Sequence, residues 1–519
     1  MIEKDDVAIF ELCSRLMDEG KYIDALHQAE SILNPGYQAS IFVDAGFALS
    51  KPGVVRKGIA LFEKLIASEE RKEFASYSLL YNTANGYSSL YSLRRQRGSK
   101  TTPPNDKDLR LAKRLYREAL KELPSQKGEF TSQVLVNFGN CLSQLGRFIE
   151  AIEYYQEGLK ADPTNGMAAG NLGIELEYVA QITGRYTHEY MALAHEMLTR
   201  ALGDSMHLKF GSYQAIQSFQ AHHEYLTQFL KAHKEPISVP GPTRSAGKSK
   251  AKKEYVQFCI DNGLFLNAWV GDPLLSPGVT DEISYGPIVT ALDDNYLVPE
   301  LLRILNEIKE AFATARYVFF LSQRNNNLLN DVSGMTLYFD NLYYDVNGLY
   351  TGLCKTAYIR AFDILDKVAR IINVYFNIGK RKDYFWTLFA ERQSHGEEHA
   401  ESFAARPAIA ASGNYSLFAL ADICIDYFEQ EQVDLSTIDT RRNKITHDYL
   451  AVQLFHLADD SDEAVSLDDF VKQTKEVLKL AKHAVLYAVS AVNLAEAQKE
   501  PGGKVGYISY DHNPGYPFL

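Results

Sequence analysis

An all-α fold in two parts is predicted by three features of the sequence. Pairs of helical segments recur with a period of 34 residues in the first part of the chain. A stretch rich in Pro, Gly, Ser and Lys then interrupts the helical pattern. Helical periodicity returns in the second part. We therefore expect a helical solenoid over 1–231, a flexible basic linker over 232–254, a connecting segment over 255–298 and a helical bundle over 299–519.

The composition is that of an ordinary globular protein. The chain has 519 residues, 46% of them apolar and 23% charged, and its net charge of -12 disfavours a surface devoted mainly to nucleic acid. The five cysteines are scattered singly, which predicts reduced, buried thiols. The acidic N-terminus has no signal-peptide pattern, and no apolar stretch approaches the ~18 residues of a membrane span. These features predict a cytoplasmic protein without a membrane segment.

The clearest repeat is VNFGNCLSQLGRFIEAIEYYQEGLKADPTN at 136–165. It resembles a tetratricopeptide repeat, because small, aromatic, turn and terminating residues occupy that family's positions. The matching positions are Phe138, Gly139, Gly146, Phe148, Ala151, Tyr155 and Pro163. Further units are indicated by Asn171 to Gly173 with Gly184 and Tyr186, by Gly46, Gly53 and Phe62, by Gly20, Tyr22 and Ala25, and by Asn82 and Ala84. The resemblance implies an array that binds a protein or peptide ligand.

Two basic stretches are interpreted as solvated loops. Residues 94–108 read as an insertion that protrudes between the two helices of one unit. Lys248, Lys250, Lys252 and Lys253 belong to the predicted linker. A polyanion contact is the less favoured interpretation of either stretch.

The second part carries one informative octapeptide, RNKITHDY at 442–449. A helix is expected to begin near Asp439, which would place this motif at the helix start. The motif resembles the signature of the HEPN superfamily, with Arg442, Asn443 and His447 at the places of its arginine, polar residue and histidine. The resemblance implies a HEPN-like helical bundle with a preceding repeat array, as found in toxin and antiviral defence proteins.

HEPN resemblance also implies a reaction. Arg442 would hold the scissile phosphate of an RNA substrate, and His447 would act as general base or acid. Asn443 would orient His447 from one turn away on the same helical face. The ribose 2'-hydroxyl would attack the phosphate without a metal or other cofactor, leaving a 2',3'-cyclic phosphate and a 5'-hydroxyl. The superfamily's active site forms between two copies, so a homodimer is expected.

Tyr449 has two interpretations. It is spaced with Ile445 and Val452 as on an apolar helical stripe, which favours core packing. In related toxins the matching tyrosine is modified with AMP by a partner nucleotidyltransferase, which is the alternative role.

Two other functions remain open. HGEEH at 395–399 fits an inverted zinc-peptidase pattern, but Gly396 weakens the required helix and no third ligand is evident. The chain could instead be a non-catalytic scaffold that binds proteins with both halves. The favoured hypothesis is a cytoplasmic endoribonuclease, with the solenoid as its sensor or regulatory part.

Overall fold

The protein is all-α, as the sequence predicts. The computed structural model describes residues 4–68, 74–124, 128–183, 186–203, 213–233, 249–271, 276–281, 283–290, 297–339, 342–379, 384–393, 402–428, 433–455, 464–499 and 506–507. These residues form twenty α-helices and three small two-stranded sheets. The chain divides into a first unit of residues 1–175 and 194–225 and a second unit of residues 176–193 and 226–519.

Helices succeed one another through the first unit without a strand among its described residues. The helices are α1 (Lys4–Asp18), α2 (Tyr22–Ala29), α3 (Pro35–Ala48), α4 (Pro52–Ala67), α5 (Ser76–Gln96), α6 (Lys107–Glu122), α7 (Glu129–Gln144), α8 (Phe148–Ala161), α9 (Gly166–Ile182), α10 (Thr187–Ala201) and α11 (Tyr213–Ala232). Helices α9, α10 and α11 each contribute residues to both units.

Glycines allow the paired helices to approach each other closely. A Cβ added to Gly139 of α7 would lie 2.7 Å from Cε1 of Tyr155 on α8. A Cβ added to Gly58 of α4 would lie 2.7 Å from the main-chain oxygen of Ala39 on α3. The small residues of the repeat pattern therefore set the spacing within each pair.

The turns between paired helices use a left-handed residue. Gly20 (φ 75°) and Gly146 (φ 86°) fill this place as the sequence predicts. The second pair uses Ser50 (φ 54°). The repeat pattern matches Gly53 to the turn residue Gly146, but Gly53 lies within α4, so that register was wrong. Tyr186 (φ 54°) serves the fifth pair, and its predicted companion Gly184 lies outside the described residues.

The basic insertion is shorter than predicted and folds back onto the unit. Helix α5 continues to Gln96, and a single 3-10 turn at Pro103–Asn105 leads into α6. Both prolines of that turn are buried. Arg94 binds the carboxylate of Asp106 at 2.6 Å and also that of Asp108. The arginine and the buried prolines thus hold the loop down, contrary to the expected protrusion.

The second unit is a helical bundle with small sheets at its edges. Its helices are α12 (Lys250–Asn262), α13 (Leu297–Ser322), α14 (Asn327–Ser333), α15 (Leu349–Phe376), α16 (Phe385–Phe389), α17 (Pro407–Ala411), α18 (Tyr415–Phe428), α19 (Val433–His447) and α20 (Leu467–Ala497). Its strands are β1 (Val289–Thr290), β2 (Ala390–Gln393), β3 (Ser402–Ala405), β4 (Ala451–Gln453), β5 (Ala464–Ser466) and β6 (Gly506–Tyr507). Strands β1 with β6 and β2 with β3 pair antiparallel, and β4 pairs with β5 in parallel.

Helix α12 corrects the predicted linker and connecting segment. It begins at Lys250, inside the range assigned to the linker, and Ser249 caps it by accepting from the Lys252 main-chain N–H at 3.2 Å. Val256 and Cys259 are buried on its inner face. The N-cap and the buried apolar face favour a helix here, although the lysine-rich composition is typical of a linker. Residues 234–248 lie outside the described residues.

The core of the bundle is formed by α13, α15 and α20, which all contact one another. Helix α20 is long and apolar enough to cross a membrane by length and composition, so the expectation that no apolar stretch approaches this length was wrong. Yet 78% of its most apolar window is buried, as in the core helix of a soluble protein. None of the five cysteines forms a disulfide, and all five are buried, as predicted.

Two alanine substitutions in α4 test the role of glycine spacing. Gly58→Ala should lower the free energy of unfolding by about 1–3 kcal/mol, because its Cβ would meet a main-chain oxygen that cannot move aside. Gly53→Ala is the control, because nothing lies within 4 Å of its added Cβ. It should be neutral or stabilising, since alanine favours a helix by about 0.5–1 kcal/mol over glycine. Equal thermal unfolding midpoints for the two variants would contradict this packing.

Candidate functional site

Helix α19 is fixed in the bundle by two tyrosine hydroxyls. Tyr358 of α15 is fully buried and donates to the main-chain oxygen of Ile438 at 2.8 Å. Tyr427 of α18 donates to the carboxylate of Asp439 at 2.9 Å. Burial raises the pKa of both phenols, so each hydroxyl keeps its proton for the bond it donates.

The RNKITHDY motif lies at the C-terminal end of α19 and not at a helix start. Helix α19 begins at Val433, six residues before the expected N-cap Asp439, and ends at His447. The Asp439 carboxylate accepts from Tyr427, so it is engaged in a tertiary contact inside the helix. Tyr449 follows the helix and precedes β4. The expected helix start was therefore wrong, although Arg442, Asn443 and His447 do share one helix.

Arg442 is half-buried and faces the bundle. The Cζ atom of its guanidinium lies 4.9 Å from the ring centre of Phe362 on α15. Its Nη1 donates to Oδ1 of Asn443 at 2.8 Å. Its Nε is buried and has no hydrogen-bond partner among the described residues. The guanidinium therefore retains hydrogen-bonding capacity.

The carboxyl of Asp363 lies close enough to Arg442 for their charges to interact. Burial raises the pKa of the Asp363 carboxyl, and the positive charge of Arg442 opposes that rise. No ion pair of Arg442 occurs within the described ranges, so its charge is not cancelled by a directly bonded carboxylate. A second anion could therefore still be attracted to it.

His447 and Asn443 are exposed at the end of the helix. Asn443 accepts from Arg442, and no hydrogen bond joins it to His447 in the part of the chain that is described. Arg442 and His447 are five residues apart, which separates them by about 140° around a helix of 3.6 residues per turn. One copy of the chain thus brings Arg442 to Asn443 and leaves His447 pointing elsewhere.

Tyr449 is not a core residue. It is 60% exposed, because α19 ends two residues earlier and the expected apolar stripe ends with it. Leu450 takes the buried place, and its main-chain oxygen accepts from Nζ of Lys355 at 2.7 Å. Burial lowers the pKa of that ammonium group. The Tyr449 phenol is left on the same exposed end of the unit as His447.

An exposed apolar segment lies beside the strand that follows the motif. We call residues 335–339 and 342–344 the apolar arm. Val346 donates its main-chain N–H to the Val452 oxygen at 2.7 Å, and Leu454 donates to the Tyr344 oxygen at 2.9 Å. The most exposed members of the arm are Met335, Leu337, Phe339 and Leu342, at 83%, 93%, 97% and 82%. The sequence MTLYFDNLYY carried this signal, an apolar run without helical period, and the sequence analysis missed it.

The described residues give no support to the zinc-peptidase hypothesis. The HGEEH residues 395–399 lie outside the described part of the chain. Among the residues that are described, no cluster of three His, Cys, Asp or Glu side chains could hold a metal ion.

Two family models match segments of the chain. The LA2681-like HEPN family matches residues 293–495. These residues are a HEPN-family domain. The tetratricopeptide repeat family matches residues 132–165, within the first unit. The HEPN match covers α13 to most of α20, so the motif at 442–449 lies inside this domain.

Solved structures resemble parts of the chain at low identity. A thermophilic TPR protein of Thermus thermophilus is 14% identical with a TM-score of 0.32, covering 43% of this chain and 99% of its own. The TPR2AB domain of yeast Sti1 in its pHSP90 complex is 17% identical with a TM-score of 0.19, covering 44% of this chain and 87% of its own. No curated protein matches the chain in sequence.

Hydrogen bonds between polar side chains join successive helix pairs of the first unit. Asn137 on α7 donates to the Tyr81 hydroxyl on α5 at 2.9 Å, and Asn171 on α9 donates to Asn140 on α7 at 2.8 Å. Further along, Ser143 donates to the Glu175 carboxylate. Burial raises the pKa of Glu175 to about 7, against a smaller lowering by that hydrogen bond.

Replacing Glu175 tests its burial. The folded chain binds a proton at Glu175 more strongly than the unfolded chain, whose value is near 4.5, so this group costs stability above pH 7 and the cost disappears as the pH falls towards 5. Glu175→Gln should therefore raise the free energy of unfolding by about 1–3 kcal/mol at pH 8, at about 1.4 kcal/mol per pKa unit, and not at pH 5. The control is Glu118→Gln on the exposed face of α6. Thermal unfolding that responds alike to both substitutions would contradict the assignment.

Proposed function

We propose that the HEPN-family domain is a metal-independent endoribonuclease that acts as a homodimer, regulated by a protein-binding repeat unit. The observation that carries the proposal is the end of α19, where one helix of a HEPN-family domain carries both an exposed imidazole and, on another side, a guanidinium with an unused donor. A role in toxin action or antiviral defence, in the cytoplasm, completes the proposal and rests on the HEPN resemblance.

The chemistry follows from the two side chains. His447 takes the proton of a ribose 2'-hydroxyl, whose oxygen attacks the adjacent phosphorus. The bond from phosphorus to the 5'-oxygen breaks, and that oxygen takes a proton from the His447 imidazolium or from water, leaving a 2',3'-cyclic phosphate and a 5'-hydroxyl. Arg442 stabilises the charge on the phosphate oxygens, which a guanidinium does in paired geometry. Asn443 fixes Arg442 through their 2.8 Å hydrogen bond, in place of the role first expected for it beside His447.

Two copies of the chain are required because Arg442 and His447 of one copy lie on different sides of α19. Arg442 packs towards Phe362, whereas His447 is exposed on another side of α19. A site that takes Arg442 from one copy and His447 from the other removes this separation. The apolar arm supports such an assembly, because a contiguous exposed apolar surface is typical of an interface.

Tyr449 is a separate candidate for covalent regulation. Its exposed phenol could accept AMP from a partner nucleotidyltransferase, which is the alternative role implied by the HEPN toxins. The added phosphate would place negative charge beside the RNA-binding end of α19 and oppose substrate binding.

The alternative function is a non-catalytic scaffold. Lys444 and His447 lie in the last turn of α19, where positive charge interacts favourably with the helix dipole without any catalytic role. RNA cleavage in excess chelator separates the nuclease from this scaffold, and also from a zinc hydrolase.

Substitutions at the end of α19 test the nuclease. Arg442→Ala and His447→Ala should each lower RNA cleavage in chelator by roughly 100-fold or more, the scale of losing a general acid-base group or a charge stabiliser. Lys444→Ala is the matched control: it removes a positive charge from the same turn and should cut normally. The products should resist 5'-phosphate-dependent ligation. Cleavage by His447→Ala at the parent's rate, or equal loss in Lys444→Ala, would refute the assigned roles.

A further inference from the structure

A polar cavity of about 110 Å³ opens between the first helices of successive repeats. It lies within the first unit, where α5 contacts α7. Val136, Met167 and Tyr81 supply its apolar wall, and amide and carboxylate side chains supply the rest. A space of this size holds a few water molecules, at about 30 Å³ each, or one side chain of a ligand.

The side-chain amides of Asn137 and Asn140 are held by hydrogen bonds, and each keeps an unused hydrogen-bonding group. Asn137 donates to Tyr81 and to Asn85, while its own Oδ1 accepts no hydrogen bond within the described ranges. Asn140 accepts from Tyr155 and Asn171, while its Nδ2 donates none there. Fixed amides with one unused acceptor and one unused donor complement the N–H and C=O groups of an extended peptide main chain.

The charged side chains that line the cavity are all acidic. Glu129 and Asp162 line it. Asp44 on α3 lies near enough for its charge to act on the Tyr81 hydroxyl. Desolvation raises the pKa of the Asp44 carboxyl to about 6, so this carboxyl is mainly ionised at neutral pH. No lysine or arginine is among its lining residues.

The absence of positive charge extends along these helices. Helices α3, α7 and α9 contain no lysine or arginine, and α5 has them only at its end, in Arg94 and Arg95. Helix α6, the second helix of its pair, carries six. An acidic peptide or an RNA strand would meet only like charge at this surface, whereas a cationic ligand would be attracted.

We infer that this cavity binds an extended basic segment of a partner protein, with the main chain held by Asn137 and Asn140 and a lysine or arginine side chain held by Glu129 and Asp162. The inference rests on the proposed function of the repeat unit as the protein-binding part. It commits that unit to basic partners and excludes acidic tails and RNA as ligands of this cavity. An apolar partner side chain next to the basic one would meet Val136 and Met167.

Two labelled peptides test the charge of the partner. One is an acetylated and amidated peptide that repeats Gly-Lys-Leu three times, and its counterpart has Glu in place of Lys. Binding to the full-length protein is measured by fluorescence anisotropy at low and at physiological salt. The lysine peptide should bind at least about tenfold more tightly, and salt should weaken its binding.

Variants place the binding at the cavity. Glu129→Gln with Asp162→Asn should weaken the lysine peptide about tenfold, which corresponds to about 1.4 kcal/mol. Gln133→Ala, another lining residue, should also weaken it. The control pair Glu118→Gln with Glu157→Gln removes the same charge from α6 and α8, outside the cavity, and should bind as the parent does.

The outcomes separate this inference from the proposed function. Preference for the glutamate peptide would overturn the inference and leave a protein-binding repeat unit. Binding of neither peptide, equal loss in the control pair, or displacement of the lysine peptide by single-stranded RNA would overturn it as well. The nuclease is tested independently by cleavage with the α19 variants, which lie in the other unit.

Discussion

The hydrogen bond from Tyr358 to the main-chain oxygen of Ile438 decides how the HEPN-family domain presents its motif. Both groups are buried, so leaving either unpaired would cost about 1–3 kcal/mol. Four residues further along each helix, Phe362 lies under the guanidinium of Arg442. These two contacts turn Arg442 towards the bundle, while His447 remains exposed.

The two units carry surfaces of opposite charge. In the second unit, Arg442 and His447 lie within the last two turns of α19. In the first unit, Glu129 and Asp162 line a cavity without a lysine or arginine in its lining. The net charge of -12 for the whole chain does not reveal this difference between the two units. A basic end suits RNA and an acidic cavity suits a basic peptide, so the proposed functions need not compete for one ligand.

The sequence predicted best where local and tertiary forces agree. Helix α20 lies in the predicted helical bundle over 299–519, and it forms because its apolar stripe and its N-cap at Ser466 coincide. Helix α19 was misplaced because Asp439 resembles a cap, whereas its carboxylate serves a tertiary contact with Tyr427. Ser50 adopts the left-handed conformation that the sequence pattern assigned to Gly53. The packing of α3 against α4 fixes where the turn falls, and a serine occupies that position. The exposure of Tyr449 depends on where α19 ends, which no local pattern specifies.

Exchange of subunits between two inactive variants tests the shared site most directly. Arg442→Ala and His447→Ala proteins are mixed under conditions that let copies exchange, and RNA cleavage is measured in chelator. A mixed dimer holds one intact site, with Arg442 from one copy and His447 from the other, so the mixture should recover about a quarter of the parent activity. Mixing either variant with the double variant should recover none. A mixture of the two single variants as inactive as each alone would contradict the account.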